Sequence, residues 1–352
     1  MSTSNDSISE RKILLTGAGG SIGSALASFI LGSDPRLLIL LDHSERSIYE
    51  LNANLSALES RAEHLFIVGD ICDQGLLTEI FERHKPEVIL HAAALKHVPL
   101  MEENPTAAVQ INALGTNTLA MIAATFGADK LVMVSTDKAV NPRSMMGATK
   151  RVAELALLRW SNEQSQMRSI RLGNVLGSQG SVVPTFERQI AVGGPVTVTH
   201  PEATRYFLTM ENAVELILAA LKIEREEGIF FPDLGEPMRI IDLAHKVIRE
   251  AGFHPESEIP ITLIGLRPGD KMSENFVAAC ESVTHTNDPR LLGIKTSVIP
   301  PDEFDSLMEE LIENVNRRDL APIIGSLCKF VPEYKPSESL LRLVSGSSAI
   351  RI

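Results

Sequence analysis

The sequence predicts an α/β fold, a doubly wound parallel sheet followed by a smaller C-terminal lobe. Three observations predict it. Short apolar runs alternate with helical stretches from the start of the chain, and the connections between them are mostly short. After Gly173, glycine and proline become frequent and the elements shorten. The first strand is read at Arg11–Thr16, then a helix over Ser21–Leu31, a strand at Leu37–Leu41 and a helix over Ser44–Leu58. Leu65–Val68 is the next strand, Gln74–His84 a helix, and Val88–Leu90 a strand. One long helix over Pro105–Phe126 leads to a buried strand at Leu131–Val134, a helix through Arg151–Leu158 and a strand at Ser169–Leu172. These form a first domain, residues 1–174. Residues 175–352 form the second lobe, with helices at Met210–Glu224, Arg239–Ala251 and Asp302–Val315. Its strands are read at Pro195–Thr199, Ile229–Phe231 and Ile261–Ile264, and its Ser-rich tail from Pro336 as partly disordered.

The chain has 352 residues, 44% of them apolar, enough for a full core. A formal charge of −12 argues against a nucleic-acid partner held through its phosphates. An anionic ligand therefore needs a locally positive pocket. Cys72, Cys280 and Cys328 lie far apart and suggest neither a disulfide framework nor a zinc site. Met1–Glu10 is polar and acidic, unlike a signal peptide, and no apolar run reaches the length of a membrane span. The expectation is a cytoplasmic protein without membrane insertion.

Thr16-Gly17-Ala18-Gly19-Gly20-Ser21-Ile22-Gly23 joins the first strand to the first helix. Glycines there permit a tight turn and let backbone approach a pyrophosphate at the helix N-terminus. Asp42 follows Gly23 by 19 residues, close to the spacing of a ribose-binding carboxylate, with Ser44 beside it. Such a carboxylate favours NAD over NADP, because it repels a 2′-phosphate. A helix-capping role for Asp42 stays open, since His43-Ser44-Glu45 also offers caps. Asp70 and Ile71 end the third strand, where a carboxylate can meet an adenine, and Ala92, Ala93 and Ala94 supply small residues against a cofactor. Together these features predict a dinucleotide-binding (Rossmann) domain. His91 and His97 have no thiol or carboxylate pattern to complete a metal site.

The stretch from Ser135 to Lys150 carries the chemistry. An acid beside a base, Asp137 and Lys138, stands at a strand end, and Lys150 lies a turn into the next helix. In an open parallel sheet these side chains converge at the ligand-binding edge. An ordinary solvated ion pair in a loop is the competing reading.

Thr16–Gly23, Asp70, His91–Ala94, Ser135–Lys138 and Lys150 resemble the extended short-chain dehydrogenase/reductase superfamily. More closely, the runs His91–Pro105, Ser135–Pro142, Gly173–Pro184, Val196–Phe207 and Leu266–Lys271 look like the UDP-N-acetylglucosamine 4,6-dehydratases of polysaccharide biosynthesis. The likeness covers roughly Lys12 to Tyr334. Long members of that family carry a membrane-spanning N-terminal region, and this chain is expected to correspond to their soluble catalytic part. The superfamily pattern is Tyr-x-x-x-Lys, but Met146 stands four residues before Lys150. One branch of the dehydratases is similar in having Met there and is regarded as active.

The resemblance implies a UDP-sugar substrate, a homo-oligomer, and internal hydride transfer that gives a 4-keto-6-deoxy sugar. Lys138 as a neutral amine would take the carbon-5 proton, Asp137 would protonate the leaving hydroxyl, and Lys150 would bind the nicotinamide ribose. The group that replaces tyrosine is left open among Asp137, Lys150, or a water ordered by Thr136 or Ser135. By family pattern Arg205 and Arg267 meet the diphosphate, Asn174 the sugar-phosphate and Glu274 the uridine ribose, with Lys96 and His97 near the sugar. Two alternatives remain. A UDP-sugar 4-epimerase has no need of the Asp-Lys pair, and a non-catalytic NAD or nucleotide-sugar binding protein would bind without turnover.

Overall fold

The computed structural model of the chain describes residues 7–346 apart from 59, 61 and 225–227. Its centre is a nine-stranded sheet. The first six strands are β1 (Lys12–Thr16), β2 (Leu37–Asp42), β3 (Glu63–Val68), β4 (Val88–His91), β5 (Lys130–Thr136) and β6 (Gln166–Leu172). They pair in parallel in the order β3-β2-β1-β4-β5-β6. The order reverses between β1 and β4, and a ligand crevice opens at such a point, outside the carboxyl ends of the strands.

The inner strands read as continuous apolar runs because both faces are covered. Every residue of β2 is buried, with Leu38 and Leu40 in one core cluster and Leu37, Ile39 and Leu41 in another. On the first face lie α1 (Ser21–Leu31), α2 (Glu45–Leu55) and α9 (Met210–Ala220). The other face is covered by α3 (Gln74–His84), α6 (Thr116–Thr125) and α7 (Met145–Trp160).

The long helix expected over Pro105–Phe126 is interrupted. After α4 (Val98–Glu103), α5 (Pro105–Ala108) runs into a π-helical segment, Val109–Gly115, before α6. Tertiary contacts account for the wide turn. Asn112 is pinned to the backbone of Leu95, and a Cβ on Gly115 would come within 2.9 Å of the Ile71 side chain. Apolar spacing does not encode either contact.

Beyond Asn174 the chain does not stay in one lobe. Short strands β7 (Asn174–Val175), β8 (Val196–Val198), β9 (Thr204–Arg205) and β10 (Phe207–Leu208) come first, with α8 (Val182–Ala191) among them. β11 (Ile229–Pro232) then returns to the main sheet parallel to β6. After β12 (Met238–Arg239), α10 (Ile240–Glu250) and β13 (Ile261–Leu263), the strands β14 (Ser282–His285) and β15 (Leu291–Lys295) extend the sheet antiparallel beside β11. The α8, α10, β8 and β13 cluster forms a separate small core. α11 (Pro301–Arg317) and α12 (Leu320–Phe330) pack with α7. The tail expected to be disordered forms α13 (Glu338–Gly346), because Leu340 reaches the same core; residues 347–352 lie outside the described residues.

Candidate active site at the carboxyl ends of the sheet

The glycine loop leaves room for a ligand because side chains there have no space. Gly17 has φ +68°, and a Cβ on it would sit 2.4 Å from the Ala93 nitrogen. A Cβ on Gly23 would sit 2.0 Å from the Gly17 carbonyl oxygen, so α1 packs hard against the turn. Gly20 caps α1 without any side-chain hydrogen bond, which leaves the first-turn N–H groups of Ser21, Ile22 and Gly23 for an anion. Ser21 Oγ accepts from the Gln179 N–H at 3.0 Å, which brings the segment after β7 over the loop.

Asp42 holds this geometry. Its Oδ2 accepts from the Gly19 N–H at 3.0 Å and its Oδ1 from the Ser44 N–H at 2.9 Å. The carboxylate thus clamps the loop while its remaining lone pairs face the cleft. Capping of α2 falls instead to Ser44, whose hydroxyl accepts from the Ser47 N–H. Gly17, Gly19, Gly20, Asp42, Ser44, Asp70, Ile71, Ala92, Ala93 and Ala94 all line one cleft. Ser21, Ile22 and Gly23 form the first turn of α1, directly after the glycines that line it. The cleft, with glycines where a Cβ would collide and a carboxylate at its rim, fits a dinucleotide.

His91 is structural. It is buried, accepts from Thr16 Oγ1 at Nδ1 (2.6 Å), and meets Thr116 Oγ1 at Nε2 (2.9 Å). Thr116 gives its own proton to the Asn112 carbonyl, so His91 Nε2 must be the donor and the ring is neutral. Burial, with the charge of Lys150, pushes its pKa down to about 3. His97 packs its ring over Gly180, where a Cβ would lie 2.4 Å from Cε1. Burial lowers the pKa of both Lys96 and His97, and for His97 the charge of Lys96 adds to it.

The Asp-Lys pair sits on a short turn directly after β5. Lys138 Nζ donates to Asp137 Oδ1 at 2.9 Å and to Asn174 Oδ1 at 3.1 Å. Thr136 Oγ1 also donates to Asp137 Oδ1, at 2.9 Å, while Asp137 Oδ2 is buried without a hydrogen-bond partner. Asp137 is fully buried and the Lys138 side chain is 20% exposed, so the pair is not a solvated surface contact. Helix α7 starts against the same turn: a Cβ on Gly147 would come within 2.2 Å of the Lys138 carbonyl oxygen. Ser144 caps it by accepting from the Gly147 N–H. Burial pulls the Lys138 pKa down, but the carboxylates of Asp137 and Glu274 outweigh it and hold the amine above its ordinary value. That direction favours the ammonium, paired with Asp137 at 2.9 Å, over the neutral amine expected from sequence.

Met146 is buried in the core shared by α4, α7 and α11. One turn on, Lys150 is 4% exposed, and its amine makes no hydrogen bond or ion pair among the described residues. Burial brings its pKa down to about 8, against the opposing charge of Glu154. Ser135 points elsewhere. Its hydroxyl donates to Glu154 Oε1, and Glu154 is bound to Arg171 and Arg151 in a buried network that also holds Glu281.

The remaining predicted contacts divide. Asn174 and Glu274 come to the Asp-Lys pair, with Glu274 Oε1 3.8 Å from Lys138 Nζ. Glu274 is thus placed among the cations Lys138, Arg205 and Lys271. Arg205 donates to the carbonyls of Thr204, Lys271 and Met272. Arg267 is exposed and pairs with Asp270 at 3.0 Å. Sequence reasoning missed Lys271, Glu154, Arg171 and Asn112. Glu154 had a signal, since it lies four residues after Lys150 on one helix face. Arg171 and Asn112 had none.

A family profile described as polysaccharide biosynthesis protein matches residues 13–296. The capsular polysaccharide biosynthesis protein CapD of Staphylococcus aureus is 42% identical over 319 residues, which is 90% of this chain and 53% of that protein. The chain thus spans about half the length of that relative. A UDP-N-acetylglucosamine 4,6-dehydratase (inverting) of Campylobacter jejuni is 30% identical, covering 78% of this chain and 79% of that protein. A UDP-glucose 4-epimerase of Rickettsia rickettsii is also 30% identical, over 80% of this chain and 81% of that protein. Among solved structures, Pen from Bacillus thuringiensis superposes with a TM-score of 0.73 at 26% identity, covering 88% of this chain and 99% of its own. A Thermus thermophilus UDP-glucose 4-epimerase in complex with NAD superposes at 0.64 with 23% identity, over 75% of this chain and 90% of its own; it shares the fold.

Proposed function

The chain belongs to the polysaccharide biosynthesis protein family, and from that premise we propose an NAD-dependent 4,6-dehydratase acting on UDP-N-acetylglucosamine. One observation carries this reading. Asp137, fully buried, and Lys138, 20% exposed, stand 2.9 Å apart at the end of the strand next to the crevice. The glycine loop, Asp42 and Ala92–Ala94 hold NAD in the crevice. When bound there, NAD⁺ would supply reversible hydride transfer between carbon 4 and carbon 6 of the sugar.

The chain's own residues do the rest. Lys138 Nζ takes the proton from carbon 5, and Asp137 gives a proton to the carbon-6 hydroxyl, which leaves as water. When hydride reaches carbon 6, carbon 5 takes a proton from water, matched by the one that leaves the 4-hydroxyl through Lys150. The elimination needs a neutral amine beside a neutral acid. Passing one proton from Lys138 to Asp137 along their hydrogen bond turns the resting ion pair into that couple without changing the number of protons bound. Exclusion of water by the sugar favours the neutral form, because an ion pair is costly to desolvate. Lys150, with its pKa near 8 and no partner, takes the proton of the 4-hydroxyl, the task of a tyrosine oxygen where Met146 now stands. Arg267, at the exposed rim, meets the diphosphate, with Lys96 and His97 toward the sugar.

The test is incubation of the protein and NAD⁺ with UDP-N-acetylglucosamine. Mass spectrometry should find loss of one water, and NMR a 4-ketone with a methyl at carbon 5. Lys138→Ala should abolish both. Inversion at carbon 4 with no loss of water would instead identify a 4-epimerase, the activity named for the Rickettsia relative. Full turnover by Lys138→Ala would reject the acid–base assignment.

A further inference from the structure

We propose that Glu274 is a positioning residue that sets the protonation state of Lys138 through its buried carboxylate. Its effect on rate rests on the dehydratase reading; its effect on the lysine does not.

Glu274 is 4% exposed. Its Oε1 lies 3.8 Å from Lys138 Nζ and 3.9 Å from Arg205 Nε, and its Oε2 lies 2.6 Å from Lys271 Nζ. One carboxylate therefore gathers three cations from three parts of the chain: the turn after β5, strand β9, and the loop before Glu274 itself. Two of these cations also brace the loop. Lys271 Nζ donates to the Val140 carbonyl at 2.9 Å, and Arg205 donates to the Lys271 carbonyl at 2.8 Å. These bonds hold the Glu274 backbone at a set distance from the acid–base turn.

The charged groups facing Lys138 Nζ are Asp137, Glu274 and, opposing them, Arg205; Asn174 is a neutral acceptor. Asp137 cannot fix the charge of Lys138 through the cycle, because it receives the lysine's proton. Once that transfer occurs, Glu274 is the negative charge that remains. It favours the ammonium, so it raises the pH at which Lys138 gives up its proton.

The experiment is competitive labelling of the full-length protein with acetic anhydride across a pH series, with modification at Lys138 read by mass spectrometry. In Glu274→Gln the midpoint for Lys138 should fall by roughly one pH unit or more, because an opposite charge at this range is removed. Glu274→Asp, which keeps the charge but retracts it, should give a smaller fall. An unchanged midpoint in a folded variant, judged by its thermal transition, overturns the proposal; if Glu274→Gln does not fold, Glu274→Asp decides by the same criterion. In parallel, the acid limb of the kcat/KM profile for UDP-N-acetylglucosamine should move to lower pH in Glu274→Gln. A labelling shift in a protein that never dehydrates the sugar removes the dehydratase reading and leaves the role of Glu274 standing. Dehydration without a labelling shift removes the role of Glu274 alone.

Discussion

Ser135 Oγ donates to Glu154 Oε1 across 2.6 Å, and both residues are buried. A strand-end serine beside the acid–base turn is thereby tied to the back of α7, away from the crevice. Its donor is spent on a charged acceptor. Ser135→Ala should cost about 1.5–3 kcal/mol of stability, the range for a hydrogen bond to a charged group. Dehydration by the same variant should stay within roughly threefold of wild type, under ~1 kcal/mol in the barrier. Denaturant unfolding and initial rates measure the two. A loss of rate far larger than the loss of stability would place Ser135 in the chemistry.

Glu154 is the hinge of the buried network. Burial pushes its carboxyl up, but Arg171, with Arg151 and Ser135, outweighs that and brings the pKa from 4.5 down to about 2. A depressed folded pKa stabilises above the unfolded value and is lost as pH falls through the folded one. The stability difference between wild type and Glu154→Gln should therefore be full above pH 4.5 and shrink towards pH 2. Its pH-dependent part should be on the order of 3 kcal/mol. Urea midpoints across that range would check it, and a pH-independent difference would contradict it.

Lys150 has the opposite sign. Its pKa falls from 10.5 to about 8 on folding, so below pH 8 its charge is buried at full cost. The cost is relieved as pH rises from about 8 to 10.5, where the native state has shed a proton that the unfolded chain keeps. Lys150→Met should stabilise the protein at neutral pH by up to about 3 kcal/mol, an advantage that fades as the wild-type amine deprotonates. It should also weaken NAD binding. Thermal melts at two pH values, with and without NAD, test both parts.

Gly17→Ala tests the cradle. The new Cβ would fall 2.4 Å from the Ala93 nitrogen at a backbone φ of +68°. Backbone on both sides has nowhere to go, so the β1 and β4 ends must part. NAD affinity should fall on the order of 100-fold, equivalent to about 2.8 kcal/mol, by titration of protein fluorescence. Unchanged affinity would mean that the dinucleotide lies elsewhere.

Much of the site was legible because it is local. The glycine loop, Asp42, Asp70, Ala92–Ala94 and the Asp137–Lys138 turn each follow a strand, and alternation alone places strand ends together. The limits of α1 and α3 agree with the helices read from apolar spacing. Arg205 illustrates what was not legible: its type suits a diphosphate, and its donors also reach the carbonyls of Lys271 and Met272, which only folding brings near.

The sequence by itself determined the order of strands and helices, the cofactor cradle and the adjacency of acid and base, since each depends on neighbours within a few residues. Only the tertiary structure decided the charge on Lys138, the diversion of Ser135 to Glu154, the break in the Pro105–Phe126 helix and the return of β11, β14 and β15 to the main sheet. The reason is range. Electrostatic state, close packing and strand pairing depend on groups far apart in sequence, from Asn112 and Leu95, 17 residues apart, to Lys138 and Glu274 in opposite halves of the chain, and hydrophobic periodicity carries no information about them.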